Sequence, residues 1–357
     1  MKHIFYDHQI FSSQKVGGIS RYFSELKKDI KQYGFNLNES AYYTDNIYYD
    51  QKIPLLNKAR YRGQERIQKL TNSLIDYFAF SASKYDIIHP TYYNASNYLK
   101  EARSKKVITV YDMIHEKFPQ YFKDSLVLSE NKKNLTQSSD IVIAISNRTK
   151  QDLINLFDIP PEKIRVIYLA SSLNSTSKST STKLPERYIL FVGSRKNYKN
   201  FNDFINSAAN IIRASRVSIL CVGGGEFTAN ENEGFAQLGL QSFMHQKDLS
   251  DSQLVYAYQN ALLFTFPSLY EGFGLPILEA FEFSCPTLLL NASCFPEIAQ
   301  EGAHYFTNFE ELPIILERLI NDDKFRKSKS HLQQLRAKDF SWKETAKQTA
   351  TTYNGLI

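Results

Sequence analysis

The sequence predicts an α/β protein with two parallel β-sheets that are each covered by helices. Short apolar runs rich in β-branched residues recur along the chain, and longer segments with helical periodicity separate them. Continuously apolar runs are typical of parallel strands that are buried on both faces. The clearest runs are residues 87–88, 107–110, 141–145, 166–167, 188–192, 217–222, 262–266 and 287–290.

The length and one polar segment predict two domains. A chain of 357 residues exceeds the ~100–200 residues of a usual domain. Residues 171–182 are rich in Ser and Thr, which is typical of a linker or surface loop. We therefore predict an N-terminal domain over residues 1–170, a second domain over 183–338, and a final helix within 339–357 that includes the only tryptophan, Trp342.

Composition excludes several classes of protein. No apolar stretch approaches the ~20 residues of a transmembrane helix, and the first residues lack the features of a signal peptide. The three cysteines, Cys221, Cys285 and Cys294, are too few for a disulfide framework. We expect a cytoplasmic protein.

The basic charge is confined to the first half of the chain. Residues 1–170 hold 25 basic and 18 acidic residues, whereas residues 171–357 hold 18 and 19. This asymmetry favours an anionic partner or a solvated lysine-rich face. The basic, apolar segment 58–80 is a candidate for peripheral contact with an anionic membrane, and burial against the first sheet is the alternative. No basic–aromatic motif predicts nucleic-acid binding.

The stretch after strand 262–266 carries the strongest chemical signal. A loop with two glycines precedes Pro276, a residue that favours the start of a helix. Main-chain N–H groups at a helix start attract anions, and here they belong to Phe273, Gly274 and Leu275. Glu271 in the loop, and Glu279 predicted in the first helical turn, suit the hydroxyl pairs of sugars. For Glu279 alone, interaction with the helix dipole is the alternative.

Two further strand ends carry candidate residues. After strand 188–192, Arg195 and Lys199 place two cations where a departing diphosphate would need neutralisation. Lys196 between them is equally consistent with an exposed surface lysine. After the first strand, Gly17 and Gly18 form a turn that would let phosphate approach closely, although a plain tight turn explains them as well.

In this order, these three segments resemble glycosyltransferase family 4. The resemblance covers most of the chain, and the Glu271-to-Glu279 segment is its most specific part. It implies retaining transferases of GT-B architecture, in which two Rossmann-like domains face a cleft. The first domain would lie on the acceptor side, the second would bind the nucleotide-sugar donor, and the last helix would return to the first domain.

The resemblance also implies roles for individual residues. Arg195 and Lys199 would stabilise the donor diphosphate, with Gly17 and Gly18 at its border. Glu279 would bind the ribose of the donor, and residues 243–247 would lie near its base. The transferred sugar would be bound by Glu271 and by the N–H groups of Phe273, Gly274 and Leu275. Asp112 would hydrogen-bond the acceptor or the sugar. Many relatives have a histidine where this chain has Tyr111, which leaves the role of that position open.

The expected activity follows from the same resemblance. A hexosyl residue would move from GDP-mannose or a UDP-hexose to a glycan or lipid-linked saccharide in bacterial surface polysaccharide biosynthesis, such as that of lipopolysaccharide. Neither a cofactor nor a metal is expected, since no Asp-x-Asp pair and no His/Cys cluster is present. A GT-B sugar-nucleotide epimerase and an inactive donor-binding protein are the alternatives.

Overall fold

The computed structural model describes residues 2–40, 44–49, 70–78, 84–94, 104–173 and 176–357. The chain forms two compact units. One unit consists of residues 1–169 and 341–357, and the other of residues 170–340. The chain thus leaves the first unit once and returns to it for its last 17 residues.

A six-stranded parallel sheet forms the centre of the first unit. Its strands have the spatial order β2-β1-β3-β4-β5-β6, and every pairing between neighbours is parallel. The central strands are almost fully buried, as their apolar runs predict. The strands are β1 (Lys2–Tyr6), β2 (Phe35–Glu39), β3 (Ile87–Ile88), β4 (Lys105–Val110), β5 (Ile141–Ala144) and β6 (Ile164–Val166).

Helices connect these strands, and one helix comes from the far end of the chain. In chain order they are α1 (Gln9–Ser13), α2 (Gly18–Ile30), α3 (Ile114–Lys117), α4 (Ser125–Ser138), α5 (Asn147–Phe157) and α14 (Trp342–Asn354). Residues 70–78 are also helical. Helix α14 packs on α2, where Trp342 lies beside Tyr22. Its buried Tyr353 contacts the hydroxyl of Tyr6 at 3.0 Å.

The second unit repeats the architecture. Its sheet has the order β12-β11-β10-β7-β8-β9 with parallel pairing throughout. The strands are β7 (Tyr188–Val192), β8 (Ser218–Val222), β9 (Met244–Lys247), β10 (Leu263–Phe266), β11 (Thr287–Leu290) and β12 (His304–Phe306). The helices are α6 (Phe201–Ser215), α7 (Ala229–Gln237), α8 (Asp251–Asn260), α9 (Leu275–Glu282), α10 (Phe295–Ala299), α11 (Leu312–Asn321), α12 (Asp323–Lys327) and α13 (Ser330–Ala337).

The predicted α/β class with two parallel sheets is confirmed. In the second unit, the apolar faces of α6 and α11 and strands β7 and β8 share one core of buried side chains. The strands most interior to the sheet, β7 and β10, are apolar at nearly every position. The carboxyl ends of all six strands meet at one edge because the sheet is parallel, and this edge carries the candidate site.

Candidate functional site

Four loops of the second unit meet at the carboxyl edge of its sheet. They follow β11, β10, β7 and β8, which are consecutive neighbours in the strand order. Each of the three boundaries between adjacent loops is crossed by side-chain hydrogen bonds. The sheet topology thus brings together residues that lie up to a hundred positions apart in the sequence.

Lys199 and Glu271 form the central contact of this edge. The Lys199 Nζ lies 2.5 Å from the Glu271 Oε1, and both side chains are about 15% exposed. Lys199 ends a short 3-10 helix after β7 and lies 5.3 Å from the Phe266 ring. A main-chain bond from the Leu269 N–H to the Tyr198 carbonyl (2.8 Å) ties the same two loops. The ammonium group is therefore held at the edge before any ligand arrives.

Arg195 joins the loop after β7 to the loop after β8. Its side chain is buried, and its Nε donates to Glu231 at 2.7 Å. The guanidinium also donates to the carbonyls of Gly223 (3.2 Å) and Gly225 (3.0 Å). Burial raises the pKa of Glu231, but the bonds from Arg195 and Thr228 outweigh it and lower this pKa below its usual value. Arg195 thus carries a positive charge that Glu231 largely balances.

The loop after β8 passes very close to the loop after β7. Gly223, Gly224 and Gly225 all have positive φ, which side chains rarely adopt. A Cβ on Gly224 would lie 2.8 Å from the Gly193 carbonyl oxygen. Only glycine fits at position 224, and its absence of a side chain lets the Arg195 guanidinium reach the loop's carbonyls.

The loop after β11 holds the backbone of Glu271. Ser293 Oγ accepts from the Glu271 N–H at 3.0 Å and donates to its carbonyl at 2.8 Å. The Cys294 thiol donates to the carbonyls of Glu271 and Phe273, both at 3.2 Å. Burial raises the pKa of this thiol well above its usual value, so it remains a neutral donor. These bonds position the Glu271 carboxylate towards Lys199.

Helix α9 corrects the predicted position of Glu279. The helix begins at Leu275, with Pro276 as its second residue, so Glu279 lies in the second turn instead of the first. Gly274 precedes the helix with a φ of 90°, and its carbonyl accepts from the Ile277 N–H at 2.9 Å. The Glu279 carboxylate is buried and accepts from the Tyr258 hydroxyl at 2.9 Å. Burial, together with Glu279, raises the pKa of Tyr258 well above its usual value.

The structure thus groups most of the predicted donor residues in one unit. Arg195, Lys199, Glu271 and the segment from Phe273 to Glu279 belong to the edge described above. Residues 243–247, predicted near the base, overlap the outermost strand β9, which pairs with β8. The remaining predicted residues, Gly17, Gly18 and Asp112, lie in the other unit.

In the first unit, Gly17 is the residue before α2, and Gly18 is the first residue of that helix. The short helix α1 lies between β1 and this turn, which the sequence did not predict. A Cβ on Gly17 would meet the Gln14 side-chain oxygen, so the turn is tight.

Asp112 follows β4 and accepts from the Ile114 N–H at 3.0 Å. Its carbonyl and the Glu116 carboxylate, each 2.9 Å away, bind the ammonium group of the fully buried Lys132. Tyr111, for which the resemblance implies a histidine in many relatives, is buried beside Tyr22 and Tyr93. The Tyr111 hydroxyl has no hydrogen-bond partner among the described residues. This position serves as an aromatic packing residue in the unit's core.

Sequence reasoning missed four residues that support the site, namely Glu231, Tyr258, Ser293 and Cys294. A signal existed for Glu231, because Thr228 and Glu231 form a capping box at the start of α7. The other three act through contacts between distant segments and carry no local pattern. Within the described ranges, no group of three or more His, Cys, Asp or Glu could hold a metal ion. No described helix has the length and apolar character to span a bilayer.

Two family models match the chain in succession. Residues 16–170 match the model described as Glycosyltransferase Family 4, and residues 174–331 match the model described as Glycosyl transferases group 1. Together they span both units. The chain belongs to glycosyltransferase family 4.

Similar proteins include several sugar transferases. This glycosyltransferase is 26% identical over 285 residues to O-antigen chain mannosyltransferase B of Escherichia coli, with 74% of each chain covered. It is 27% identical over 229 residues to the O-antigen chain mannosyltransferase RfbU of Salmonella typhimurium, covering 58% of this chain and 63% of that protein.

Solved structures share its fold. Sucrose-phosphate synthase from Thermosynechococcus elongatus superposes with a TM-score of 0.76 at 16% identity, covering 100% of this chain and 99% of that one. Anabaena HepE in complex with UDP and glucose superposes with a TM-score of 0.73 at 19% identity, covering 99% of both chains. At these identities the likeness establishes the GT-B fold of this glycosyltransferase.

Proposed function

We propose that this glycosyltransferase is a retaining, metal-independent hexosyltransferase of bacterial surface polysaccharide biosynthesis. Its donor is GDP-mannose or a UDP-hexose, and its acceptor is a glycan or a lipid-linked saccharide. The contact between Lys199 and Glu271 carries the proposal, because a cation and a carboxylate lie side by side at one sheet edge. The O-antigen mannosyltransferases among the relatives favour mannose. The UDP and glucose bound by HepE favour a UDP-hexose.

The proposed reaction assigns each group at the edge a role. The Lys199 ammonium and the N–H groups before α9 stabilise the negative charge on the departing diphosphate. The Glu271 carboxylate accepts from hydroxyls of the sugar, and Glu279 from hydroxyls of the ribose. Arg195 holds the glycine loop after β8 against the site and adds positive potential, which its pair with Glu231 reduces.

The chemical step is front-face displacement. The bond between the anomeric carbon and the diphosphate oxygen breaks, and the acceptor oxygen bonds to the same carbon from the same face. The acceptor hydroxyl proton passes to the leaving phosphate oxygen, so the step needs no protein base. Asp112 is assigned to orient the acceptor or the sugar. The protein contributes positioning and charge stabilisation.

A donor panel tests the proposal. The purified protein is incubated with GDP-mannose, UDP-glucose, UDP-galactose and UDP-N-acetylglucosamine, with and without candidate glycan acceptors, and release of nucleoside diphosphate is measured. We expect release from one donor, a loss of 100-fold or more in Lys199→Ala, and no loss in the matched control Lys196→Ala, since Lys196 is exposed. Donor binding without release would support the inactive donor-binding protein. Conversion of the donor to a second nucleotide-sugar would support the epimerase.

Two further measurements test the retaining step and metal independence. Proton NMR of the first product should show the anomeric configuration of the donor, and an inverted product would contradict the retaining step. Turnover should persist in excess EDTA. Full loss of activity with EDTA and recovery with Mg²⁺ or Mn²⁺ would overturn metal independence.

Peripheral membrane contact is the second part of the proposal. In the helical segment 70–78, the side chains of Leu70, Leu74, Tyr77 and Phe78 are 53–66% exposed, while Asn72 and Asp76 are buried. This helix therefore turns apolar residues outward, which does not match the alternative of burial against the sheet. The basic residues of the predicted membrane segment, Arg60, Arg62, Arg66 and Lys69, precede it in sequence and lie outside the described residues. We propose that the apolar residues enter an anionic cytoplasmic leaflet.

Liposome flotation tests this contact. The protein should float with vesicles containing 30% phosphatidylserine at low salt, and less with neutral vesicles. Leu74→Ser/Phe78→Ser should reduce flotation severalfold. The matched control Leu126→Ser/Val127→Ser changes two apolar residues of α4 that are 81% and 65% exposed, and it should float like the unchanged protein. Equal flotation of both double variants would contradict the proposed contact.

A further inference from the structure

A cavity of about 370 Å³ lies between helices α6 and α7 of the second unit, beside the loop after β7. Four asparagine side chains line it, namely Asn197, Asn202, Asn206 and Asn230. All four are exposed, and none of their amide groups has a hydrogen-bond partner among the described residues. The buried side chains of Ile205 and Phe235 form an apolar floor. We refer to this cavity as the α6–α7 pocket.

The wall formed by α7 contains an unusual residue. Gly234 lies inside the nine-residue helix Ala229–Gln237, where glycine is unfavourable compared with almost any other residue. No neighbouring protein atom requires glycine at position 234, because a Cβ there would meet nothing within 4 Å. A helical glycine facing open space in a cavity leaves room for a ligand to approach the backbone closely.

The chemistry of the walls selects a class of ligand. Each amide can donate and accept, which matches the adjacent hydroxyl groups of a sugar. The apolar floor can take the C–H face of a pyranose ring. Arg195 and Glu231 also line the pocket, but they are paired with each other and offer little net charge. These features together favour an uncharged polyol over an anion.

We propose that the α6–α7 pocket binds a hexopyranose unit of a glycan, next to the edge at which the donor is proposed to bind. Such a pocket would give a glycosyltransferase that extends a polysaccharide a second binding site for the growing chain. The existence of the pocket does not depend on the proposed function, which guides only the choice of probe. At the affinity that small ligands usually show for their size, a single bound hexose corresponds to a dissociation constant on the order of 1 mM.

Saturation-transfer NMR with two neutral probes, α-linked mannotriose and maltotriose, tests the proposal. We expect one probe to bind the unchanged protein in the millimolar range. Gly234→Leu directs a side chain into the open space of the pocket and should abolish this binding. The matched control Ala236→Leu adds the same side chain to an exposed position on α7 and should bind normally. Asn202→Ala/Asn206→Ala should weaken binding about tenfold, as the loss of two hydrogen bonds predicts.

Several results would overturn the proposal. Binding that survives in Gly234→Leu would place the trisaccharide elsewhere, and no binding of either probe at 10 mM would exclude a hexose site. Displacement of the probe by inorganic phosphate would identify an anion site, to which the exposed Lys196 at the rim would contribute. Nucleotide release should be unchanged in Gly234→Leu with small acceptors. Turnover without trisaccharide binding would therefore refute this inference alone, whereas binding without turnover would refute only the proposed function.

Discussion

The ammonium group of Lys199 lies 2.5 Å from the carboxylate of Glu271, across the boundary between the loops after β7 and β10. The two side chains come from positions 72 residues apart. Both are largely shielded from water, so screening weakens their attraction less than that of a surface pair. Each residue holds the other in the position at which the donor is proposed to bind.

Lys199 and Glu271 should act as a unit. We expect Lys199→Met and Glu271→Gln each to reduce kcat/KM by 100-fold or more, because each change also leaves its partner without its counter-charge. The double variant should be about as active as the weaker single variant. Steady-state kinetics with the preferred donor measures this. Fully additive losses would indicate that the contact has no part in catalysis.

The Tyr258 hydroxyl should stabilise both the fold and donor binding. Tyr258→Phe removes the hydrogen bond from the Tyr258 hydroxyl to the buried Glu279 carboxylate, which should lower the free energy of unfolding by about 1–3 kcal/mol. The KM for the donor should rise because Glu279 is proposed to bind the ribose. Urea denaturation and donor titration measure the two effects. Tyr256→Phe is the control, because Tyr256 lies on the same helix but is not fully buried. Equal changes of stability and of donor KM in the two variants would contradict the role of the Tyr258 hydroxyl.

Ser293 offers a way to separate hydrogen bonding from backbone strain. Its φ of 56° favours glycine, whereas its hydroxyl makes two bonds to the backbone of Glu271. Both Ser293→Ala and Ser293→Gly should lower kcat/KM, since Glu271 loses its anchor. Ser293→Gly should be more stable than Ser293→Ala by about 1 kcal/mol, because glycine adopts this conformation without steric cost. Full activity in either variant would show that these bonds do not position Glu271.

His89 should make stability depend on pH. It contacts the Tyr353 hydroxyl at 2.6 Å and Thr109 Oγ1 at 2.9 Å, and burial lowers its pKa to about 3. The unfolded value is ~6.5, so between these values the unfolded state binds more protons. The free energy of unfolding should therefore fall as pH drops below ~6.5, by up to ~1.4 kcal/mol for each pH unit. Above pH ~6.5, His89 does not make the free energy of unfolding depend on pH.

Urea denaturation at pH 7, 6 and 5 measures the effect of His89. His89→Gln should be less stable at pH 7 because the glutamine cannot reproduce both contacts. Its stability should fall less steeply towards pH 5 than that of the unchanged protein. Parallel pH profiles for the two proteins would show that His89 does not carry this dependence.

The interior strands were predictable because burial on both faces makes them apolar at successive positions. Strands β7 and β10 illustrate this, with four buried residues each. The edge strands were harder to find. Strand β2 alternates polar and apolar residues (Phe35–Glu39), and β12 has only three residues (His304–Phe306). An edge strand needs only one partner and one covered face, so its sequence carries a weaker signal.

The parallel topology was also enough to predict that Arg195, Lys199 and Glu271 would share a sheet edge. Which atoms meet was not predictable, because the contact of Arg195 with Glu231 depends on the path of the glycine loop. The turn predicted for Glu279 was wrong, because the helix begins one residue earlier than predicted and proline occupies its second position instead of its first. Local preferences locate an element, but they do not set its boundary to the residue.

Because residues 170–340 form an uninterrupted unit whereas the other unit needs residues 341–357, the two units differ in when they can fold. During synthesis, the first 169 residues emerge without α14, so Tyr6 and His89 lack their contacts with Tyr353. The unit of residues 170–340 depends on no later segment. The half of the chain that is translated second is therefore the half that we expect to complete its native structure first.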